Sequence, residues 1–141
     1  MRVCGISIDS NKSNLVVLEI TNKDIDKFQI IDTGILKIAL ENETEQTEVK
    51  SFSEKVQKFI DDNKIEYIGI KKRLHSGKFS GGAISFKIEA TIQLLNNVKV
   101  FLIPAKTIAS KSKGIELDKS LFKYQHEAFK TAYTLFLDKI N

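Results

Sequence analysis

Three short runs of aliphatic and β-branched residues open this chain, all before the first stretch of helical spacing. That order constrains the fold more than any other feature. Extended segments joined by short turns find their nearest hydrogen-bonding partners in one another, as an antiparallel unit. Residues 2–8 and 15–20 read as strands. Between them, residues 9–14 are Asp, Ser, Asn and Lys, side chains that bend and cap the backbone, so a hairpin follows. Residues 28–39 read as a third extended stretch, with Gly34 marking a candidate bulge. The spacing then changes. Val49, Phe52, Val56, Phe59 and Ile60 fall on one face of a helix over residues 44–62. Asn42 and Glu45 have the form of a capping pair at its start, and Asn63 suits its exit. A short apolar strand at 65–70, a helix at 83–96 with the stripe Ile84, Ile88, Ile92 and Leu95, and a strand at 98–103 come next. Pro104 suits the first turn of a short helix. A last helix spans 120–140, with Phe122, Phe129, Tyr133, Phe136 and Ile140 on one face. Strands that alternate with helices join a sheet in parallel, by right-handed crossovers. The expected fold is therefore α/β: a mixed five-stranded sheet in the order β-β-β-α-β-α-β-α, with helices on both faces.

A chain of 141 residues suits one domain over all its length, built round one core. No apolar run approaches the roughly 18–20 residues that span a bilayer, and the first ten residues lack the form of a secretory signal. The single cysteine, Cys4, lies within an apolar stretch and reads as a buried small hydrophobe. With no partner in the chain for a disulfide, a cytoplasmic setting is the default expectation. Charge is unevenly spread. Residues 1–66 carry 9 Lys/Arg against 13 Asp/Glu, whereas residues 67–141 carry 13 against 5. A face that meets phosphate would give such a split, and so would a solvated lysine-rich surface.

Four stretches carry a family resemblance: Val3-Cys-Gly-Ile-Ser-Ile-Asp9, the run from Ile70 through Gly-Lys-Phe-Ser-Gly-Gly to Ala90, Ile103-Pro-Ala-Lys-Thr-Ile108, and Glu127-Ala-Phe-Lys-Thr-Ala-Tyr133. Across nearly the whole chain they resemble a bacterial family of small proteins described only as a domain of unknown function. That family looks like a member of the ribonuclease-H-like superfamily, and the layout is more distantly similar to Holliday-junction resolvases. The resemblance implies a ribonuclease-H-like fold. It also says where resolvase acids would fall: at the end of strand one, at the end of the strand after the first helix, and at the start of the last helix.

Nucleases of this kind hold two hard divalent cations, Mg²⁺ or Mn²⁺, roughly 4 Å apart on carboxylates. The strand-one position falls on Ser7, with Asp9 two residues on and on the same face. Asp9 reads either as a ligand or as an Asx turn opening the hairpin. The second position falls on Lys71, a reversal of charge. At the third, Glu127 is the nearest acid. At 100° per residue it lies about 160° from Phe129, which points it to solvent, while Gln125 and His126 lie nearer the sheet. The candidate catalytic set is thus Asp9, His126 and Glu127, with Asp9 the one metal ligand to consider and no cofactor otherwise expected.

The basic loop at 71–82 is the other candidate. Lys71, Lys72, Arg73, His75 and Lys78 fall within eight residues without an acid. Gly77, Gly81 and Gly82 let the backbone approach a ligand closely, and Phe79 could stack on a base. The loop delivers the chain to a helix N-terminus, which favours an anion. Lys106 extends the patch. Four readings follow: a nucleic-acid-binding domain that has lost its metal site, an atypical metal-dependent phosphodiesterase, a protein-interaction module, a homodimer among the possibilities, and a nucleotide or small-phosphate site on the same loop. No membrane partner is expected.

Overall fold

The computed structural model describes residues 1–73 and 82–140. β1 (Arg2–Asp9) and β2 (Lys12–Ile20) form the expected hairpin, with Arg2 opposite Glu19 and Asp9 opposite Lys12. The third extended stretch is two strands. β3 (Phe28–Ile31) pairs with Val17–Ile20, and β4 (Lys37–Ala39) pairs with Lys12–Asn14, on the same edge of β2. Gly34 lies between them at φ 74°, and its N–H donates to the Asp32 carboxylate at 3.0 Å. The chain turns out of the ladder there instead of bulging within it, so the sheet has six strands and not five. β5 (Tyr67–Lys71) adds in parallel beside β1, and β6 (Lys99–Ile103) beside β5.

α1 (Gln46–Asp62) and α2 (Ala83–Gln93) cover one face of the sheet, while α3 (Ala105–Lys111) and α4 (His126–Leu135) cover the other. β1 shows why both faces must be covered. Cys4, Ile6 and Ile8 point into a core shared with Phe52, Val56, Ile88 and Ile92. Val3 points the other way, into a core shared with Ile108, Phe129 and Phe136. Near-continuous apolar strands of this kind belong in the middle of a sheet buried on both sides.

Two expected helix starts were wrong in detail. The Asn42 side chain accepts from the backbone of Thr44 at 3.1 Å, and α1 begins only at Gln46, after Glu45, which makes no side-chain cap. Before α4, Phe122 is extended, and a 3₁₀ turn (Lys123–Gln125) intervenes. Phe122 therefore falls outside the buried stripe and is 57% exposed.

α4 lies unusually close to the sheet because two glycines face each other beneath it. Gly5 of β1 is in register with Gly69 of β5. A Cβ on Gly5 would sit 1.9 Å from the Ala128 carbonyl oxygen and 2.5 Å from the Ala132 nitrogen. One on Gly69 would press on Ile103 and Leu135 at 3.0–3.1 Å. The helix backbone thus rests on the strand backbone, which fixes where the first turn of α4 meets the strand ends.

Candidate functional site

The next residues on that face, two beyond the glycines, are Ser7 and Lys71. The parallel register pairs Ile6 with Ile70 at its last step, and Ser7 and Lys71 are the residues that follow these in β1 and β5. Ser7 in turn lies opposite Asn14, and Asn14 opposite Lys37. Paired residues in a sheet share a face. Lys37, Asn14 and Ser7 therefore form one row across three strands. Lys71 follows at the end of β5, two residues past Gly69 on the same face, and the start of α4 lies over it.

Glu127 stands beside Lys71. Its Oε1 accepts from Lys71 Nζ at 2.7 Å, and Oε2 lies 3.6 Å from Lys130 Nζ. Burial alone would raise this carboxyl. The hydrogen bond and charge of Lys71, with the charge of Lys130, outweigh burial, and Glu127 is held below its ordinary range. Glu127 faces solvent in part, as its helical angle implies, and it also meets Lys71, which that angle does not show. A helical wheel gives the angle of a side chain about its own axis, but at the first turn of a helix the long side chain from a strand end reaches round to the flank. Lys71 does this, with its side chain 27% exposed and that of Glu127 43% exposed.

The other predicted residues fall apart into separate places. Asp9 is exposed at the hairpin turn opposite Lys12, and His126 is half-buried at the start of α4. No hydrogen bond among the described residues joins Asp9 to His126 or Glu127. Nor, among those residues, are three or more of His, Cys, Asp and Glu grouped to share a cation. Lys72 is exposed, and its N–H extends the β5–β6 ladder to the Ile103 carbonyl at 2.9 Å. Arg73 is half-buried and donates from Nη1 to the Ile8 carbonyl at 3.1 Å, tying the end of β5 to the end of β1. Gly82 is exposed immediately before α2, and Lys106 is exposed in the first turn of α3. His75, Lys78, Phe79 and Gly81 lie outside the described residues.

Glu89 was missed. It is 5% exposed on α2, and its Oε2 accepts from the backbone N–H of Arg73 at 2.8 Å. A signal was present, since Glu89 sits beside Ile88 and three before Ile92, within the apolar stripe. An acid in such a stripe needs a donor, and here the donor is the backbone where the basic stretch leaves β5. The row and Glu127 beside it therefore offer a hydroxyl, an amide, ammonium groups and one carboxylate committed to lysine, while Glu89, on the helix that covers the other face, is committed to a backbone N–H.

The model of the family described as "Protein of unknown function (DUF3010)" matches residues 1–135, and the chain belongs to that family. No curated protein matches it in sequence. Among solved structures it is similar to RuvC of Thermus thermophilus, at 13% identity and a TM-score of 0.70, over 95% of this chain and 92% of that one. T. thermophilus RuvC in complex with Holliday junction substrate matches at 12% identity and 0.65, over 95% and 91%. Fowlpox virus resolvase in complex with substrate Holliday junction DNA matches at 14% and 0.52, over 97% and 93%. The likeness is one of fold, and the ribonuclease-H-like architecture expected from the sequence is present.

Proposed function

We propose that this DUF3010 chain is a nucleic-acid-binding domain on a resolvase-like fold, working without a two-metal centre. The observation that carries the reading is the Lys71–Glu127 ion pair at the carboxyl end of β5. Two hard cations need several carboxylate oxygens free to bind them. Ser7 and Asn14 are neutral, Lys71 brings a positive charge to the middle of the position, and the nearest carboxylate is already bound to it. These residues do not fit the metal pair. What they leave is a cationic strand end: Lys71, Lys72 and Arg73 in succession, with Lys106 on α3, the helix that follows β6. The basic second half of the chain agrees with this, as do neighbours of the same fold that are complexed with Holliday junctions.

Binding to branched, double-stranded and single-stranded DNA and RNA tests the proposal. Measured by gel shift or anisotropy at about 50 mM salt, where phosphate contacts are strongest, affinity should fall steeply as salt rises. No binding of any of these at low salt sinks the reading. A cleavage assay with Mg²⁺ or Mn²⁺ addresses the competing phosphodiesterase. Cleavage that stops with chelator and with Asp9→Ala would replace this proposal with an atypical metal site.

A further inference from the structure

The ring that escaped the core defines a second feature on the same face of the sheet. Phe122 is 57% exposed, and it stacks on Tyr124 with ring centroids 5.6 Å apart and planes within 3° of parallel. Lys37 Nζ lies 4.2 Å from the centroid of the Tyr124 ring. Lys37 is also the far end of the row that runs through Asn14 to Ser7, with Lys71 beyond it at the end of β5. The aromatic pair and the Lys71–Glu127 pair thus lie on either side of that row.

The turn that carries the rings is firmly tied. Gln125 is 5% exposed, and its Oε1 accepts from the Phe122 N–H at 3.0 Å. Its Nε2 donates to the Leu15 carbonyl of β2 at 3.3 Å, and its own N–H donates to the Phe122 carbonyl at 2.9 Å. Side chain and backbone of one buried glutamine hold an apolar ring out in water. Lys123, between the two rings in sequence, is exposed, as is Lys12 on β2 beside β4.

We propose that the Phe122–Tyr124 pair is a shelf on which one unpaired base of a nucleic-acid strand stacks, with Lys37 and Lys123 meeting its phosphates. The proposal rests on the nucleic-acid reading above and adds to it a preference for unpaired bases. Flat parallel rings accept any base, since every base has a π-face, and adjacent lysines supply the charge that a strand needs and a neutral protein surface does not. A duplex lying on the basic strand end uses phosphate contacts alone and gains nothing from the shelf.

The test compares a short single strand with a blunt duplex of the same sequence, each carrying a fluorescent purine, at about 50 mM salt. Phe122→Ala should weaken the single strand roughly tenfold, the weight of one base–aromatic stack, and leave the duplex within about twofold. Phe122→Leu, apolar but not flat, should lose as much, and Phe122→Trp should restore binding. Because Phe122 is exposed, the unfolding midpoint should stay put in all three variants, and a shift in the Leu variant would assign the ring to the fold and overturn the shelf. Unchanged single-strand affinity in Phe122→Ala, or equal losses on strand and duplex, also overturns it while leaving the nucleic-acid reading intact. Failure of the wild-type protein to bind either would remove that reading and the shelf together. A free nucleoside monophosphate should compete only weakly, and competition as strong as that of the strand would reassign the rings to a mononucleotide.

Discussion

Removing the charge of Glu127 should make the protein bind nucleic acid more tightly. Glu127→Gln keeps the shape of the side chain and leaves Lys71 without its carboxylate. The Lys71–Glu127 contact is short, at 2.7 Å, but both side chains are partly exposed, 27% and 43%. Solvent screens such a pair, and its net worth is about 1 kcal/mol or less. A phosphate that recruits Lys71 in the wild-type protein must compete with that pair, and it also approaches the Glu127 charge. Removing the competitor should gain about 1 kcal/mol, or roughly fivefold in affinity at low salt. A lysine newly engaged with a duplex phosphate releases one more counterion. The plot of log affinity against log salt should then steepen by about 0.9. Fluorescence anisotropy of a labelled duplex over 50–200 mM salt measures both quantities. Lys71→Gln introduced on top of Glu127→Gln should abolish the gain in affinity and in slope together. The reasoning is refuted if Glu127→Gln weakens binding, if its salt slope is unchanged, or if the second substitution leaves the gain in place.

Other consequences follow from the same geometry. Glu127 is held below its ordinary range, so its contribution to stability is present above the usual carboxylate value of 4.5 and is lost as pH falls through the lower folded-state value. Urea titrations should show wild type exceeding Glu127→Gln by up to about 1 kcal/mol at pH 6–7 and converging with it in acid; a difference that grew in acid would contradict this. Gly5→Ala puts a carbon 1.9 Å from the Ala128 carbonyl oxygen, where only a backbone shift of α4 gives room, and should cost about 3 kcal/mol or more in chemical denaturation. Glu89→Ala leaves the Arg73 N–H without its acceptor and should cost about 1–3 kcal/mol, against a smaller loss for Glu89→Gln, which still offers an oxygen. Cys4 is fully buried, and burial pushes its thiol up to about 12; thiol reagents should label it only as fast as the protein unfolds.

The fold was legible where one periodicity decided it. The near-continuous apolar runs of β1 and β2, and the stripes of α1 and α2, each have a single solution that buries them. The misread third stretch shows what such patterns omit. Residues 28–39 alternate well enough for one strand, but the ladder is broken by Gly34, whose φ of 74° takes the chain out of line. Hydrophobic pattern alone does not separate a bulged strand from two strands paired with different ends of the same neighbour. The end of the chain shows a different limit. Phe122 continues the stripe of α4 by spacing, yet the glutamine three residues on captures its N–H and stops the helix short. A side chain that competes for the backbone in this way leaves no trace in apolar periodicity.

The site was half legible, and the division follows from what a sequence position determines. That Ser7 and Lys71 stand at neighbouring strand ends followed from their place in two strands of known order, and β1 and β5 do pair in parallel, in register as far as Ile6 and Ile70. What Lys71 would do there depended on a third element, and the height of α4 above the sheet is set by Gly5 and Gly69, whose facing positions appear only once β1 and β5 are paired. With a side chain at either glycine, α4 would stand off, and Glu127 would move away from the strand end. With both absent, the lysine and the glutamate meet. The two glycines and the ion pair therefore form one arrangement. A substitution at Gly5 should disturb the Lys71–Glu127 contact that lies one turn away, and so alter the salt dependence of nucleic-acid binding even in a protein that still folds. An effect of Gly5→Ala on stability with no change in that salt dependence would separate the helix seat from the site and break this link.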